Sequence, residues 1–224
     1  MSIQVDVVRV FTDPDGRHGN PLGIVDAAQA PAPDRQRIAA ALGFSETIFV
    51  DLPTATATSA TAQIFTPAAE LPFAGHPTVG LAWWLRERGL GVDTLEVAAG
   101  PVATRTADGV TWVRAQPDWA PEFTLHCQPD STAVHAVSAT SFTDGHHYVW
   151  AWAGEGAISS RMFAPALGVP EDEATGAAAI RITDHLRRDL HITQGRGSRL
   201  LTRYSPDGWI EVGGRVERDR PVTV

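Results

Sequence analysis

Residues Ile64–Leu85, IFTPAAELPFAGHPTVGLAWWL, are followed later in the chain by a second version of the same pattern at Met162–Ile182, MFAPALGVPEDEATGAAAIRI. Each stretch begins with a hydrophobe and Phe, carries Pro three residues after the hydrophobe and again five residues further on, and then opens a helix with small residues. The offset of 98 residues is far longer than the period of a solenoid repeat. We therefore predict two related halves, each with strands wrapped against one central helix.

Hydrophobic periodicity and turn residues predict the elements around the first copy. Asp34 is a candidate N-cap for a helix through Leu42 that ends at Gly43. A second helix is expected from Thr78 to Arg88, followed by Gly89 as a candidate C-cap. Its expected buried face comprises Val79, Ala82, Trp83 and Leu85. The strands of this half are expected at Ile3–Phe11, Leu22–Val25, SETIFVDL and ATATSATAQIFTP, with a later hairpin turning at Asp108–Gly109.

The second half repeats this order in a shorter form. HHYVWAWA is expected to be a strand with Tyr148, Trp150 and Trp152 on one face. The second copy then leads into a helix from about Thr175 to Leu190, and SRLLTRYSPDGWIEVGGRVE closes as a hairpin. No counterpart of the Asp34–Leu42 helix is expected between Gln116 and His146. We place the boundary between the halves at 105/106, giving 1–105 and 106–224, with the last strands free to return to the first half.

Composition restricts the class of protein. The 224 residues carry a formal net charge of −8 from scattered acids, which weighs against nucleic-acid binding. No apolar run approaches the roughly 20 residues of a membrane helix. The N-terminal MSIQVDVVRVFTD lacks the charged-then-apolar layout of a signal peptide, so a cytoplasmic protein without membrane contact is expected. Cys127 is the single cysteine, which excludes an internal disulfide.

The chain has no lysine, and this absence excludes several reactions. All 18 residues counted as Lys or Arg are Arg. A Schiff base to pyridoxal phosphate needs a lysine amine, and a Walker A loop needs its lysine as well. A racemase with two thiols is excluded by the single cysteine. We therefore expect no pyridoxal cofactor and no Walker-type nucleotide site.

Histidine and glycine spacings give no indication of a metal or a dinucleotide. His146 and His147 are adjacent on an expected strand and point to opposite faces. His185 and His191 are six residues apart on the expected helix, where ligand pairs stand three or four apart. The segment Gln194–Leu200, QGRGSRL, lacks the third glycine of a dinucleotide loop. The sequence predicts no metal site and no cofactor.

The two helix starts are the candidate binding site. A helix N-terminus offers unpaired backbone N–H groups and about half a positive charge. If the halves face each other, both ends aim at one cleft and hold a substrate carboxylate, with Gly75 and Gly176 allowing close backbone approach. The alternative is a pair of ordinary loop-to-helix junctions.

Three ionisable residues are candidates for proton transfer. Glu46 lies in the apolar GFSETIFV, where desolvation raises a carboxyl pKa toward neutral and suits a general acid or base. His76 is a candidate second proton carrier, and Asp172 stands between two other acids at a helix start. Each has a structural alternative: a Glu paired with Arg, a capping imidazole, and acids placed favourably at the helix dipole.

Four ordered motifs resemble the PhzF family, named for phenazine biosynthesis. They are VVRVFTD…GNPLGIV, LGFSETIFV, IFTPAAELPFAGHPTVG and MFAPALGVPEDEATGAA, which run from near residue 5 to about 180. QG at Gln194–Gly195 and VGG at Val212–Gly214 resemble the C-terminal pattern of the same family.

The resemblance implies an α/β (α+β) fold like that of diaminopimelate epimerase: two pseudo-symmetric halves, each a curled, mostly antiparallel sheet around a central helix. It implies a cofactor-independent isomerase that shifts a proton on a small carboxylate-bearing metabolite, by double-bond migration or epimerisation, in secondary metabolism. Glu46 takes the position of the principal acid/base, with His76 and Asp172 assisting. The resemblance also implies a possible homodimer. The implied substrate-binding residues are Ser45, Gly75, Thr175, Gly176 and Ala177.

Two positions depart from the pattern. The family's EDPATGS is EDEATGA here, so Glu173 replaces Pro and Ala177 replaces Ser. Glu173 adds a negative charge beside the expected anion site, and Ala177 removes a hydroxyl donor. These departures leave two alternatives open beside the isomerase: a non-catalytic binder of small acids, and a lyase or hydrolase that uses the same Glu46.

Overall fold

The computed structural model describes residues 2–165 and 169–224 and shows a mixed α+β fold. The second copy of the repeated pattern lies partly outside these residues, at 166–168. The strands of the first half are β1 Gln4–Thr12, β2 Asn20–Asp26, β3 Glu46–Val50, β4 Ser59–Phe65, β5 Glu70–Leu71, β6 Thr94–Val97, β7 Gly100–Ala107 and β8 Val110–Ala115. Those of the second half are β9 Thr124–Cys127, β10 His147–Gly154, β11 Ala157–Ala164, β12 Val169–Asp172, β13 Leu190–Gln194, β14 Ser198–Tyr204, β15 Ile210–Arg218 and β16 Val222–Thr223. The helices are α1 Arg35–Leu42, α2 Gly75–Glu87, α3 Ser131–Ala136 and α4 Gly176–Leu186.

The strand order is nearly a mirror image of itself. Hydrogen-bonded neighbours run β2-β3-β4-β6-β7-β8 and then β15-β14-β13-β11-β10-β9. In each half a parallel pair brackets the main helix: β4 and β6 bracket α2, and β11 and β13 bracket α4. The two pseudo-symmetric halves expected from the repeated pattern are therefore confirmed by the topology. The boundary expected at 105/106 falls within β7, and the division at that position stays a prediction.

One pairing closes the first half around its helix. The antiparallel contact of β1 with β15 joins the two ends of the path β1-β2-β3-β4-β6-β7-β8-β15. Helix α2 packs against β1, β2, β3, β7, β8 and β15 of this ring, and ten of its 13 residues are buried. A helix that is apolar on every side is stable only in such an enclosed position. Gly80 allows this packing, since a Cβ there would lie 2.5 Å from the Leu22 side chain.

A short helix corrects one expectation about the second half. The expected absence of a helix between Gln116 and His146 is wrong, because α3 lies in that interval and packs on β10 and β11. Helix α1 packs in the corresponding way on β3 and β4. The Asp130 side chain caps α3 by accepting a hydrogen bond from the Ala133 N–H at 2.8 Å. Six residues give too weak a periodic pattern to be recognised without tertiary contacts.

The other helix boundaries also differ from those expected. Helix α2 begins at Gly75 and not at Thr78, because Pro77 is tolerated in the first turn. Helix α4 ends at Leu186 and not at Leu190, since the chain turns at Arg187 with φ of 52° and then enters β13. His191 is therefore on a strand and not on the same helix as His185.

Trp84, and not Trp83, is the buried tryptophan of α2. Trp152 is 41% exposed although Tyr148 and Trp150 are buried.

Two of three further predicted features, the helix end at Gly43 and the turn at Asp108–Gly109, are present in the structure, whereas the Asp34 side-chain cap is not. Gly43 ends α1 in the left-handed conformation with φ of 68°, and Asp34 precedes α1 without a side-chain capping bond. The turn at Asp108–Gly109 has positive φ at both residues, as a two-residue hairpin requires. In the described parts of the chain, no helix has the length and apolar character to cross a membrane.

The N-termini of α2 and α4 meet backbone to backbone. A Cβ placed on Gly75 would lie 2.9 Å from Cα and C of Gly176. A Cβ placed on Gly176 would lie 2.8 Å from Cα of Gly75 and 2.9 Å from N of His76. Both glycines were expected to let a substrate approach, whereas here each admits the other helix. The contact brings two positively polarised helix ends to one place.

We predict that Gly176→Ala destabilises the protein by about 1 to 3 kcal/mol, the usual cost of overpacking. The atoms nearest to the added methyl group are backbone atoms of Gly75 and His76, which cannot move aside as the end of a flexible side chain could. The measurement is the free energy of unfolding in urea. Gly91→Ala is the matched control, because its Cβ would meet nothing closer than 3.4 Å. A Gly176→Ala variant as stable as the unmodified protein would show that the helices do not meet in this way.

Candidate active site

Glu46 and His76 form the centre of the candidate site. Glu46 is the first residue of β3, and His76 lies in the first turn of α2. His76 Nδ1 is 3.2 Å from Oε2 of Glu46, and the two side chains are 3% and 18% exposed. Among the described residues, neither Oε2 of Glu46 nor Nε2 of His76 has a hydrogen-bond partner. Buried polar atoms are rarely left unpaired, so these two are available to a bound molecule.

Burial shifts the pKa values of both residues toward their neutral forms. Loss of solvation raises the pKa of Glu46 from 4.5 to about 7, against a smaller opposing effect of the Ser45 hydroxyl. Loss of solvation also lowers the pKa of His76 from 6.5 to about 4. The charge of Asp172 and the backbone of Pro21 oppose this change in His76. At neutral pH the imidazole is uncharged, and both protonation states of Glu46 are accessible.

Asp172 ends β12 beside this pair and is held by two side chains. Asn20 Nδ2 donates to its Oδ1 at 2.8 Å, and the Thr175 hydroxyl donates to its Oδ2 at 2.5 Å. Burial, and after it the charge of Glu46, together raise the pKa of Asp172 from 3.8 to about 6. Thr175, His76 and Asn20 oppose that rise. The two carboxyl groups therefore influence each other, and they titrate over the same pH range.

Asn20 and Gln194 complete the site, and the sequence analysis assigned neither of them a role. Asn20 is 3% exposed; its Nδ2 also donates to the Ala174 carbonyl at 2.9 Å, and its Oδ1 accepts from the Ser45 hydroxyl at 3.2 Å. Gln194 is fully buried; its Nε2 donates to the Asp172 carbonyl and to the Thr175 hydroxyl. Its Oε1 accepts from the Thr175 N–H at 3.2 Å. Both residues occur in the quoted motifs GNPLG and QG, which was the available indication.

The structure brings the predicted site residues together at the start of the two helices. Ser45 precedes Glu46 and contacts Asn20, and Thr175 precedes α4. The Thr175 hydroxyl is already bonded to Asp172. Gly75 and Gly176 form the helix contact, and Ala177 lies partly exposed in the first turn of α4. Their roles toward a substrate stay predictions.

The geometry is suited to moving a proton within a bound acid. Two carboxyl groups with pKa values of about 7 and 6 can hold one proton between them near neutral pH. The adjoining helix ends supply N–H groups and positive partial charge for an anion. Within residues 2–165 and 169–224 no three His, Cys, Asp or Glu side chains are placed to hold a metal ion.

The raised pKa of Glu46 predicts a pH-dependent cost in stability. The stabilisation of the fold by the protonated Glu46 carboxyl group is fully present below its unfolded pKa of 4.5. It is lost as the pH rises through about 7, the pKa of Glu46 in the folded protein. Glu46→Gln lacks this titration. The variant should gain about 1 to 3 kcal/mol relative to the unmodified protein between pH 4.5 and pH 8. Urea unfolding at several pH values measures the difference.

Glu96→Gln is the control for this comparison, since Glu96 is an exposed residue of β6. The stability of this variant relative to the unmodified protein should change far less over the same pH range. A constant difference between Glu46→Gln and the unmodified protein from pH 4.5 to pH 8 would contradict the burial of the Glu46 carboxyl.

The sequence matches one protein family. The family described as phenazine biosynthesis-like protein matches at residues 8–111 and 122–212. A trans-2,3-dihydro-3-hydroxyanthranilate isomerase of Pseudomonas chlororaphis is 34% identical over 223 residues, covering 82% of the chain and 80% of that relative. The isomerase of the same name from Pseudomonas fluorescens is 33% identical with the same coverage.

Solved structures show the same fold. A PhzF-family phenazine biosynthesis protein of Bacillus anthracis aligns with a TM-score of 0.75 at 21% identity, covering 100% of this chain and 99% of that one. A hydroxyproline epimerase of Agrobacterium vitis aligns with a TM-score of 0.66 at 13% identity, covering 100% and 92%. The epimerase-like fold implied by the resemblance to the PhzF family is thereby confirmed.

Proposed function

The chain belongs to the phenazine biosynthesis-like protein family, and on this premise we propose that it is a cofactor-independent isomerase that moves a proton on a small carboxylate-bearing metabolite. The observation that carries the proposal is the meeting of the α2 and α4 N-termini beside Glu46, His76 and Asp172. The relatives support the reaction class, since they are named as isomerases.

The substrate carboxylate binds at the joined helix ends. The backbone N–H groups at Gly75–His76 and Gly176–Ala177 belong to the first turns of α2 and α4, where N–H groups can donate to an anion. His76 is uncharged at neutral pH and the described residues of this site include no arginine, so the helix ends supply the positive potential. A single carboxylate suits this arrangement.

Glu46 carries the proton between two carbons. Its carboxylate removes a proton from one carbon, which breaks that C–H bond and leaves the electron pair in the conjugated substrate. The resulting carboxylic acid then gives the proton to a second carbon, so the molecular formula is unchanged. A pKa of about 7 allows both steps at neutral pH.

His76 and Asp172 assist Glu46. The neutral imidazole lies 3.2 Å from Oε2 of Glu46 and can exchange hydrogen bonds as the carboxyl gains and loses its proton. Asp172 is held by Asn20 and Thr175, and its charge modulates the proton affinity of Glu46. The Glu46 side chain is 18% exposed, so its carboxyl group can exchange the proton with solvent between the two steps, and solvent hydrogen then enters the product.

We predict that the protein incorporates solvent deuterium into trans-2,3-dihydro-3-hydroxyanthranilate or a related unsaturated cyclic acid, and that Glu46→Gln slows this by about 100-fold or more. The amide cannot accept the proton, whereas its size matches that of the carboxyl group. Mass spectrometry of the product in deuterium oxide measures the rate.

Glu171→Gln is the matched control, since this neighbouring acid bonds Arg161 outside the carboxyl pair. It should retain the rate of the unmodified protein. Deuterium uptake by Glu46→Gln at the unmodified rate would remove Glu46 from the mechanism. A product whose mass changes in ordinary water would identify a lyase or hydrolase, and ligand-induced stabilisation without turnover would identify a binder.

A further inference from the structure

Glu173 is one of the two residues that depart from the family pattern, and its carboxylate has defined partners. Oε1 accepts a hydrogen bond from the Ser198 hydroxyl at 3.2 Å, and Oε2 lies 3.0 Å from Nε of Arg196. The Glu173 carbonyl also lies against Gly195, where a Cβ would be 3.0 Å from its oxygen. Side chain and backbone of Glu173 therefore both contact the turn between β13 and β14.

The same turn holds the loop that leads to Asn20. Ser198 is fully buried, and its hydroxyl accepts a hydrogen bond from the Gly19 N–H at 3.0 Å. His18 and Gly19 have φ values of 61° and 82°, which are left-handed conformations. The His18 ring packs on Gly197, where a Cβ would lie 2.8 Å from it. A non-glycine residue keeps such a conformation only when its surroundings hold it.

The loop before Asn20 and the turn after Gln194 adjoin the two residues that form hydrogen bonds with Asp172 and Thr175. Asn20 follows the strained loop and donates to Asp172 and to the Ala174 carbonyl. Gln194 precedes the turn and bonds both Asp172 and Thr175. The contacts of Glu173 with the turn therefore lie next to the two residues that bond Asp172 and Thr175.

We propose that Glu173 is a positioning residue, which through Ser198 and Arg196 ties the loop ending in Asn20 and the turn following Gln194 to the start of α4. The family pattern has proline at this position, which would restrain the chain through its fixed φ. Here side-chain contacts supply the restraint. The inference concerns the site of the proposed isomerase, and its test does not require turnover.

The buried contact with Ser198 is the important part of this restraint. Arg196 is 82% exposed, and an ion pair with such an exposed partner contributes little. Ser198 is inaccessible to solvent and joins Glu173 to Gly19 through one oxygen atom. Substitution of Ser198 also leaves the charges around Asp172 unchanged.

The experiment measures the pKa of Asp172 by carboxyl carbon NMR in the free protein. The titratable groups that influence Asp172 are Glu46 from β3 and His76 from α2, so both are titrated in the same samples. In Ser198→Ala the pKa of Asp172 should rise by about 0.5 to 1 unit, since the hydrogen bonds that favour its ionised form loosen. An unchanged pKa would overturn the proposal.

Substitutions of Glu173 distinguish a positioning role from a purely electrostatic one, because the two roles shift the pKa of Asp172 in opposite directions. Removal of a nearby negative charge alone lowers the pKa of Asp172, whereas loss of the restraint raises it. We expect a rise in Glu173→Ala and no rise in Glu173→Gln, because the amide oxygen still accepts the Ser198 hydrogen bond. Glu173→Gln also provides a folded variant if the alanine variant is unstable.

Glu171→Ala is the matched control, because it removes the other acid beside Asp172, which is bonded to Arg161. It should give no rise. A fall in Glu173→Ala, or equal shifts in the Ala and Gln variants, would overturn the proposal. These results are independent of deuterium uptake, so a failure of the proposed isomerase activity would be recognised separately.

Discussion

The contact between Gly75 and Gly176 is the constraint on which the rest of the site depends. Two helix N-termini that touch through their backbones place two positive dipole ends side by side, which is unfavourable without a negative group nearby. Glu46 and Asp172 are the acids at this point, but burial raises their pKa values to about 7 and 6. A bound carboxylate would satisfy the helix ends and leave the acids free to exchange a proton. Gly75 and Gly176 therefore serve both the packing of the two helices and the proposed binding of the substrate carboxylate.

The sheet makes this contact possible by its near mirror-image path. In each half a parallel pair of strands brackets a helix, so that α2 and α4 enter from corresponding positions. Strand β15 pairs with both β8 and β1, which connects the second half to the ring around α2. The repeated loop is present twice because each half supplies one of the two helix ends.

The sequence was sufficient for the repeat, because the repeat rests on a local pattern of apolar and small residues, and the family resemblance supplied the fold class. The roles of the three ionisable residues stay predictions. The sequence failed where the cause is tertiary. Helix α3 is too short to show a period, and α4 ends at Leu186 because the following residues join a sheet. Asn20 bonds Asp172, which is 152 residues away, so no local pattern indicates the contact. Glu173 was expected to disturb the site, and its Ser198 and Arg196 partners became visible only in the folded chain.

A crystal structure with a bound cyclic carboxylate tests the central claim most directly. The carboxylate oxygens should accept hydrogen bonds from backbone N–H groups of both helix starts, at residues 75–76 and 176–177. The ring carbons should lie next to the Glu46 carboxyl group. A carboxylate held by arginine side chains elsewhere, with the two helix ends unoccupied, would contradict the account.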